Sequence, residues 1–237
     1  DDLIWGANGH PFRAYPDISY DTQIRLVREL GMTHYRIGWH FEKLAELKQV
    51  ADRYGVTLLP IIHPDGPLDE KTPQQLYEDS FSRARWLTRR YRGQFPVWEL
   101  GNELENFAII KACEMRDDGT QYPCEWGPAG GMDALDYYGP RWAKVSAALS
   151  GLLDGAGEGD PDAKYAIGTA GWGHLGAFER FVEDGLEWDI TIWHDYEQVR
   201  ESFLEVLAGY GKPIWITEFN AGGGGFEVPG KVFYGWS

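Results

Sequence analysis

The chain has 237 residues, 43% hydrophobic and 25% charged, which suits one soluble α/β barrel with a single core. Its formal charge of −15 works against nucleic acid, anionic membrane surfaces and strongly anionic polysaccharides as partners. No apolar run approaches the roughly 20 residues that cross a bilayer, so no membrane span is expected. Asp1-Asp2-Leu3-Ile4 lack the basic start and apolar centre of a signal peptide. A mature chain has lost its signal, so this does not argue for the cytoplasm.

Strand-like and helix-like runs alternate along the chain, the pattern of parallel βα units. The first strand is expected at 3–7. A helix over 20–30 follows, with Ile24, Val27 and Leu30 on one face and Gly31 as its stop. A second strand at 33–39 leads to Leu44, Leu47, Val50 and Tyr54 at helical spacing before Gly55. Residues 56–63 read as a continuously apolar, buried parallel strand. Thr72-Pro73 reads as a cap with proline at the first helical position, opening a helix through Phe81, Ala84, Leu87 and Tyr91 to Gly93. The fourth strand is expected at 95–103. Residues 104 to about 135 then form a long loop, and loops of that length are usually functional. A helix over 138–153, a Gly/Asp-rich turn and a fifth strand at 165–171 follow. Phe178, Phe181 and Val182 mark another helix, 188–196 a sixth strand, 199–210 a helix and 213–219 a seventh strand. Residues 231–236 read as an eighth. The expected fold is one (β/α)8 TIM barrel over residues 1–237.

Its closure is expected to be incomplete or irregular around strands seven and eight. A parallel crossover needs a dozen or more residues, usually with a helix, and Ala221-Gly222-Gly223-Gly224-Gly225-Phe226-Glu227-Val228-Pro229-Gly230 will not make one. Either the chain omits segments here or the barrel closes irregularly. The two cysteines, Cys113 and Cys124, both lie in the long loop. A disulfide between them would fit a secreted or periplasmic setting, while two free thiols would be unremarkable in a cytosolic loop.

Two stretches carry the chemistry. Trp98-Glu99-Leu100-Gly101-Asn102-Glu103 and Ile214-Trp215-Ile216-Thr217-Glu218-Phe219 are apolar runs that each end on a carboxylate. A charge at the end of a buried strand needs partners. In a parallel barrel all carboxyl ends converge on one face, where distant positions meet and active sites lie. Period-two alternation puts Ile214, Ile216 and Glu218 on one face, Ile190, Ile192, His194 and Tyr196 on another, then Leu59, Ile61 and His63, and His34, Arg36 and Gly38. Each series turns from apolar or small to polar towards the carboxyl end, beyond what core formation requires. Cleaving an acetal needs a proton for the leaving oxygen and an anion to meet the oxocarbenium-like centre. Glu103 is the expected acid/base and Glu218 the nucleophile. Repulsion from Glu218 would keep Glu103 protonated, while Arg36 and Tyr196 would hold Glu218 ionised. Asn102 would bond a sugar hydroxyl, and Glu99 would neutralise Arg36 inside the barrel. The two carboxyl groups are expected roughly 5 Å apart, as retaining enzymes require.

These motifs resemble clan A retaining glycoside hydrolases: Asn-Glu closing the fourth strand, Glu closing the seventh, and His-x-Tyr closing the sixth. Trp-Glu-Leu-Gly-Asn-Glu is most similar to family 39 and its relatives acting on bacterial exopolysaccharides, with families 5 and 51 nearby. The resemblance implies Glu103 as acid/base and Glu218 as nucleophile, with Asn102, Tyr196, His194, Arg36 and His63 lining the site. It also implies Trp236 as a sugar platform. The short passage from Trp39 to Leu44 and the missing seventh helix depart from the pattern at the loops that select substrate.

Of the 11 tryptophans most belong in the core, and Trp98 and Trp215 are expected to point outward against the helices. Trp39, Trp172, Trp193 and Trp236 lie at or near strand ends, and Trp126 in the long loop, where a ring can stack on a pyranose. His63, His194 and neighbouring acids lack metal-ligand spacing such as His-Glu-x-x-His, and Gly222–Gly225 lacks the Lys-Ser/Thr of a phosphate loop. No metal or cofactor is expected. The expected partner is a carbohydrate substrate, a polysaccharide or oligosaccharide, bound by a monomer. A transglycosylase would use the same two carboxylates, and a barrel that binds glycans without cutting them is the alternative of a different class.

Overall fold

The computed structural model describes residues 4–12, 14–38, 41–196 and 200–219. Seven parallel strands stand in sequence order: β1 (Gly6–Gly9), β2 (His34–Ile37), β3 (Thr57–Ile62), β4 (Val97–Leu100), β5 (Lys164–Thr169), β6 (Ile190–Asp195) and β7 (Ile214–Phe219). Between them run α1 (Tyr20–Glu29), α2 (Leu44–Tyr54), α3 (Pro73–Arg90), α4 (Gly139–Gly159), α5 (Gly176–Glu183) and α6 (Glu201–Ala208). Among the described residues the barrel is open between β1 and β7, bridged there by Asn8 Nδ2 donating to the Thr217 carbonyl at 2.7 Å. The expected eighth strand, and the crossover before it, lie outside the described residues. No described helix is long and apolar enough to cross a membrane.

Local chemistry accounts for the helices. Ser19 caps α1 by accepting from the Thr22 amide, and α1 buries Ile24 and Val27. Gly55, at φ +63, terminates α2, whose Leu44, Leu47 and Val50 face inward. Thr72 and Gln75 form a reciprocal capping box at the start of α3, with Pro73 in its first turn. Each buried Leu or Ile in this helix–sheet layer contributes about 1.5–3 kcal/mol.

Three expectations about individual elements are corrected. The glycine-rich stretch after 153 continues α4 to Gly159. Gly151, Gly155 and Gly159 share one face of α4, and a Cβ on them would come within 2.3 Å of the Tyr77 carbonyl, 2.2 Å of the Phe81 carbonyl and 2.0 Å of Thr88 Oγ1. Close packing on α3 outweighs the propensity cost of glycine. The fourth strand ends at Leu100, not Glu103, because Gly101 turns to φ +75 and Glu103 takes φ +52 ahead of a 3-10 turn, Leu104–Ala108. The third correction concerns Trp215, which faces the barrel interior.

That interior is small and apolar: Leu59, Val97, Ala166, Ile190 and Ile192, with Trp215 packed against them. Ile214 instead joins the outer cluster with Leu204 and Leu207 of α6. Pairing runs Ile192 with Trp215 and Trp193 with Ile216, then jumps to His194 with Glu218. A bulge at this point adds one residue and resets the alternation. Glu218 therefore faces inward as expected, although Ile214 and Ile216 do not share its face. Trp98 is fully buried on the helix side, against Phe41, Tyr91 and Phe95.

The long loop after β4 is ordered by its own chemistry. Cys113 and Cys124 are disulfide-bonded, and Met115 pairs with Gln121 across the turn they enclose. Arg141, in the first turn of α4, grips both oxygens of Glu114 at 2.6 and 2.7 Å and donates to the Phe107 and Ile109 carbonyls.

Candidate active site

The carboxyl end of the barrel gathers the polar residues that the strands carry upward. Arg36, on β2, is the hub. Its Nε and Nη2 reach Glu99 of β4 at 2.6 and 2.5 Å, a bidentate pair that is almost wholly buried. Nη1 reaches Glu218 Oε1 at 2.6 Å and Asn8 Oδ1 at 3.2 Å, while Nη2 also donates to Asn102 Oδ1 at 2.7 Å. Burial opposes charge on Arg36, but Glu99 and then Glu218 more than reverse this and raise its pKa. Glu99 thus neutralises a cation that also holds Glu218.

Glu218 is held from a second side by the Tyr196 hydroxyl, which donates to Oε2. Burial raises the Glu218 pKa, but the His194 imidazole, the Tyr196 hydroxyl and Arg36 together outweigh it. The carboxyl lies below its ordinary range. Burial, followed by the bond to Glu218, moves the Tyr196 phenol upward, so it stays a donor.

His194 joins the two carboxylates. It is 1% exposed, with Nδ1 2.7 Å from Glu103 Oε1 and Nε2 3.6 Å from Glu218 Oε1. Asn106 Nδ2 donates to the other oxygen of Glu103 at 3.4 Å. One oxygen each of Glu103 and Glu218 and a ring nitrogen of His194 lie within 4.8 Å of one another. A divalent ion fits that donor set geometrically, but Arg36 and the imidazole already engage its oxygens. The arrangement presents two carboxylates to one point, one of them ion-paired.

Two recesses meet at Tyr196. One is lined by Asn8, His10, Phe12, Arg36, Asn102 and Glu218. The other, smaller, is lined by Ala170, Trp172, Trp193, His194, Asp195, Arg200 and Phe203. Trp172 stands 60% exposed at its rim, in a left-handed conformation at φ +58. Trp126 is also exposed on the long loop. His63 follows β3 and lines neither recess. Burial, with Arg36 and Arg83 nearby, pushes its imidazole down to about 4. Trp39 and Trp236 lie outside the described residues.

Sequence reasoning did not anticipate Asn8, His10 and Phe12, although Gly6-Ala7-Asn8-Gly9-His10 repeats the apolar-to-polar pattern of the other strands. Nor did it anticipate Glu105 and His174, a buried pair behind Glu103 with no local motif to mark it.

No protein-family model matches the sequence, and no curated protein matches it. Solved structures match the fold. The GH53 catalytic domain of Ignisphaera aggregans aligns over 91% of this chain and 67% of its own, with 13% identity and a TM-score of 0.59. Xylanase 10B of Thermotoga maritima aligns over 91% and 69%, with 14% identity and a TM-score of 0.55. The endo-1,4-β-mannanase of Eisenia fetida aligns over 89% and 72%, with 17% identity and a TM-score of 0.56. At these identities the likeness establishes the barrel fold alone, and it singles out no one family, family 39 included.

Proposed function

We propose that the chain is a retaining β-glycoside hydrolase that cuts a neutral polysaccharide or oligosaccharide by double displacement. The observation carrying this reading is the approach of Glu103 and Glu218 oxygens to within 4.8 Å of each other across one imidazole. Retaining enzymes hold their carboxyl groups about 5–5.5 Å apart, whereas inverting ones leave about 6.5–9.5 Å for a water.

In the first step a Glu218 oxygen attacks the anomeric carbon, the glycosidic C–O bond breaks, and Glu103 gives its proton to the departing oxygen. In the second, Glu103 takes a proton from water, the water oxygen bonds the anomeric carbon, and Glu218 leaves. Glu218 suits the first role because Arg36, Tyr196 and His194 favour its ionised form. Asn102 accepts from Arg36 through Oδ1, which leaves its amide N–H donors for a sugar hydroxyl. Trp172 offers a ring face at the rim.

The likeness of Trp98-Glu99-Leu100-Gly101-Asn102-Glu103 to family 39 favours bacterial exopolysaccharides among the candidate glycans. The Cys113–Cys124 disulfide favours a secreted or periplasmic setting.

The test has two parts. Reducing-end release is measured from a panel of neutral β-glycans and bacterial exopolysaccharides, with Glu218→Gln beside the native chain. A 2,4-dinitrophenyl 2-deoxy-2-fluoro-β-glycoside of the accepted sugar should then leave a covalent sugar on the Glu218 peptide by mass spectrometry. Release that persists in Glu218→Gln, or labelling elsewhere, overturns the assignment. Tight binding to one glycan without release would favour the binding barrel.

A further inference from the structure

Building on the reading of Glu103 as acid/base, we infer that Glu105 is the positioning residue that sets its geometry. Glu103 is one of three described non-glycine residues with positive φ, at +52. A conformation so sparsely populated persists only where its surroundings over-determine it. The contacts of the Glu103 side chain, His194 at 2.7 Å and Asn106 at 3.4 Å, hold its carboxyl tip and leave the backbone turn to be held from elsewhere. The restraint comes from two residues further on.

Glu105 is 1% exposed and lines neither recess, although its partner Ala170 lines the smaller one. Its Oε1 accepts from the Ala170 amide at 2.6 Å and lies 2.8 Å from His174 Nδ1. Ala170 directly follows β5. His174 is itself wedged: a Cβ on Gly131 would come within 2.5 Å of its ring, and Tyr137 packs against it edge-on while donating to the Gly131 carbonyl. One carboxylate oxygen therefore ties the turn that carries Glu103 to the end of β5 and to the loop ahead of α5, where His174 in turn packs on Gly131 and Tyr137.

A leucine at 105 would fill the same space without burying a charge, so packing does not explain a carboxylate here. Its second oxygen, Oε2, has no hydrogen-bond partner among the described residues. The pin thus works through Oε1 alone. A glutamine can keep that acceptor, with its amide nitrogen in the place of Oε2.

The test separates positioning from general support of the fold. On aryl β-glycosides of the accepted sugar, kcat/KM reports the first chemical step. A phenyl leaving group needs the proton from Glu103, whereas dinitrophenolate departs without one. Glu105→Leu should lose about 10²-fold in kcat/KM on the phenyl glycoside and less than about 3-fold on the dinitrophenyl glycoside. Glu105→Gln should recover most of the loss, and His174→Phe should show the same selectivity at smaller size. Equal loss on both substrates, or none on either, overturns the inference.

Amide exchange over residues 101–108, read by mass spectrometry, tests the pin without activity. It should quicken at least about tenfold in Glu105→Leu and return towards the native rate in Glu105→Gln. Unchanged exchange also overturns the inference. Should the native chain hydrolyse no glycoside, the catalytic reading falls and the exchange arm alone decides whether Glu105 fixes this turn. Should Glu105→Leu fail to fold, His174→Phe carries both arms.

Discussion

The two carboxylates at the barrel mouth are held by opposite means. Glu218 sits on a strand, and its side chain is fixed by charge: Arg36, itself clamped by Glu99, and the Tyr196 hydroxyl. Glu103 sits beyond its strand in a left-handed turn, its side chain meets the buried His194, and its backbone is held by a pin whose carboxylate lines neither recess. The difference follows from what the proposed roles demand. A nucleophile must stay ionised, which buried cations and donors ensure, whereas an acid/base must change charge twice per turnover and is better held by its backbone.

Substitutions at the two carboxylates test this contrast most severely. Glu218→Gln should lower kcat/KM by roughly 10⁵-fold or more on every glycoside, as removal of a nucleophile does elsewhere. Glu103→Gln should cost about 10²–10⁴-fold on phenyl glycosides while sparing the first step on dinitrophenyl ones. Uniform losses in Glu103→Gln would mean that the two residues do not divide the work. Steady-state kinetics on matched aryl glycosides decides it.

Arg36→Met probes the charge side of the comparison. It leaves Glu99 buried without its cation, removes one of the groups that hold Glu218, and should lower stability by about 3–5 kcal/mol, read by chemical denaturation. The same variant should move the acidic limb of kcat/KM to higher pH, because Arg36 is one of the groups holding Glu218 low. In the native chain the depressed Glu218 carboxyl contributes stability that is full above its unfolded value and is lost as pH falls through its folded value. His63, pushed down to about 4, acts in the same direction over a higher window. Its contribution is full above its ordinary value of 6.5 and declines as pH falls from there towards about 4. Denaturation midpoints between pH 7 and 4 should therefore decline, and a flat profile would contradict the lowered values of these two groups.

Two smaller effects probe the packing side. Replacing Cys113 and Cys124 by serine opens a loop of sequence separation 11 and should cost about 2–3 kcal/mol in denaturation, with the active-site turn spared if Arg141 holds its base. Trp172→Ala should raise KM for an oligosaccharide about 2- to 10-fold, the equivalent of about 0.5–1.5 kcal/mol of ring contact. The melting temperature should stay unchanged, because the ring is largely exposed.

Much of the fold was legible because its signals are local. Thr72-Pro73 announced the start of α3, Gly55 ended α2, and the order of strand-like and helix-like runs matches the observed parallel sheet. The pairing of Glu99 with Arg36 was also legible, since two opposite charges on inward positions of buried strands, β4 and β2 on either side of β3, need each other as partners. Where reading failed, a distant partner had changed the rule. Glycines that signal a turn became a helix face because α3 lies against them. Alternation along β7 broke because its register with β6 slips by one residue, which turns Trp215 inward and Ile214 outward.

The sequence by itself determined which residues carry charge at strand ends, and hence that Glu103, Glu218, His194, Tyr196 and Arg36 belong on one face. Periodicity and strand polarity are properties of consecutive residues, so they survive without coordinates. Only the tertiary structure decided the separation of the two carboxylates, the left-handed turn of Glu103, and the union of Glu105 with Ala170 and His174. Those depend on how the loops after β4 and β5 meet each other and the end of β7, and contacts between chain-distant groups leave no periodic trace in the residues that make them.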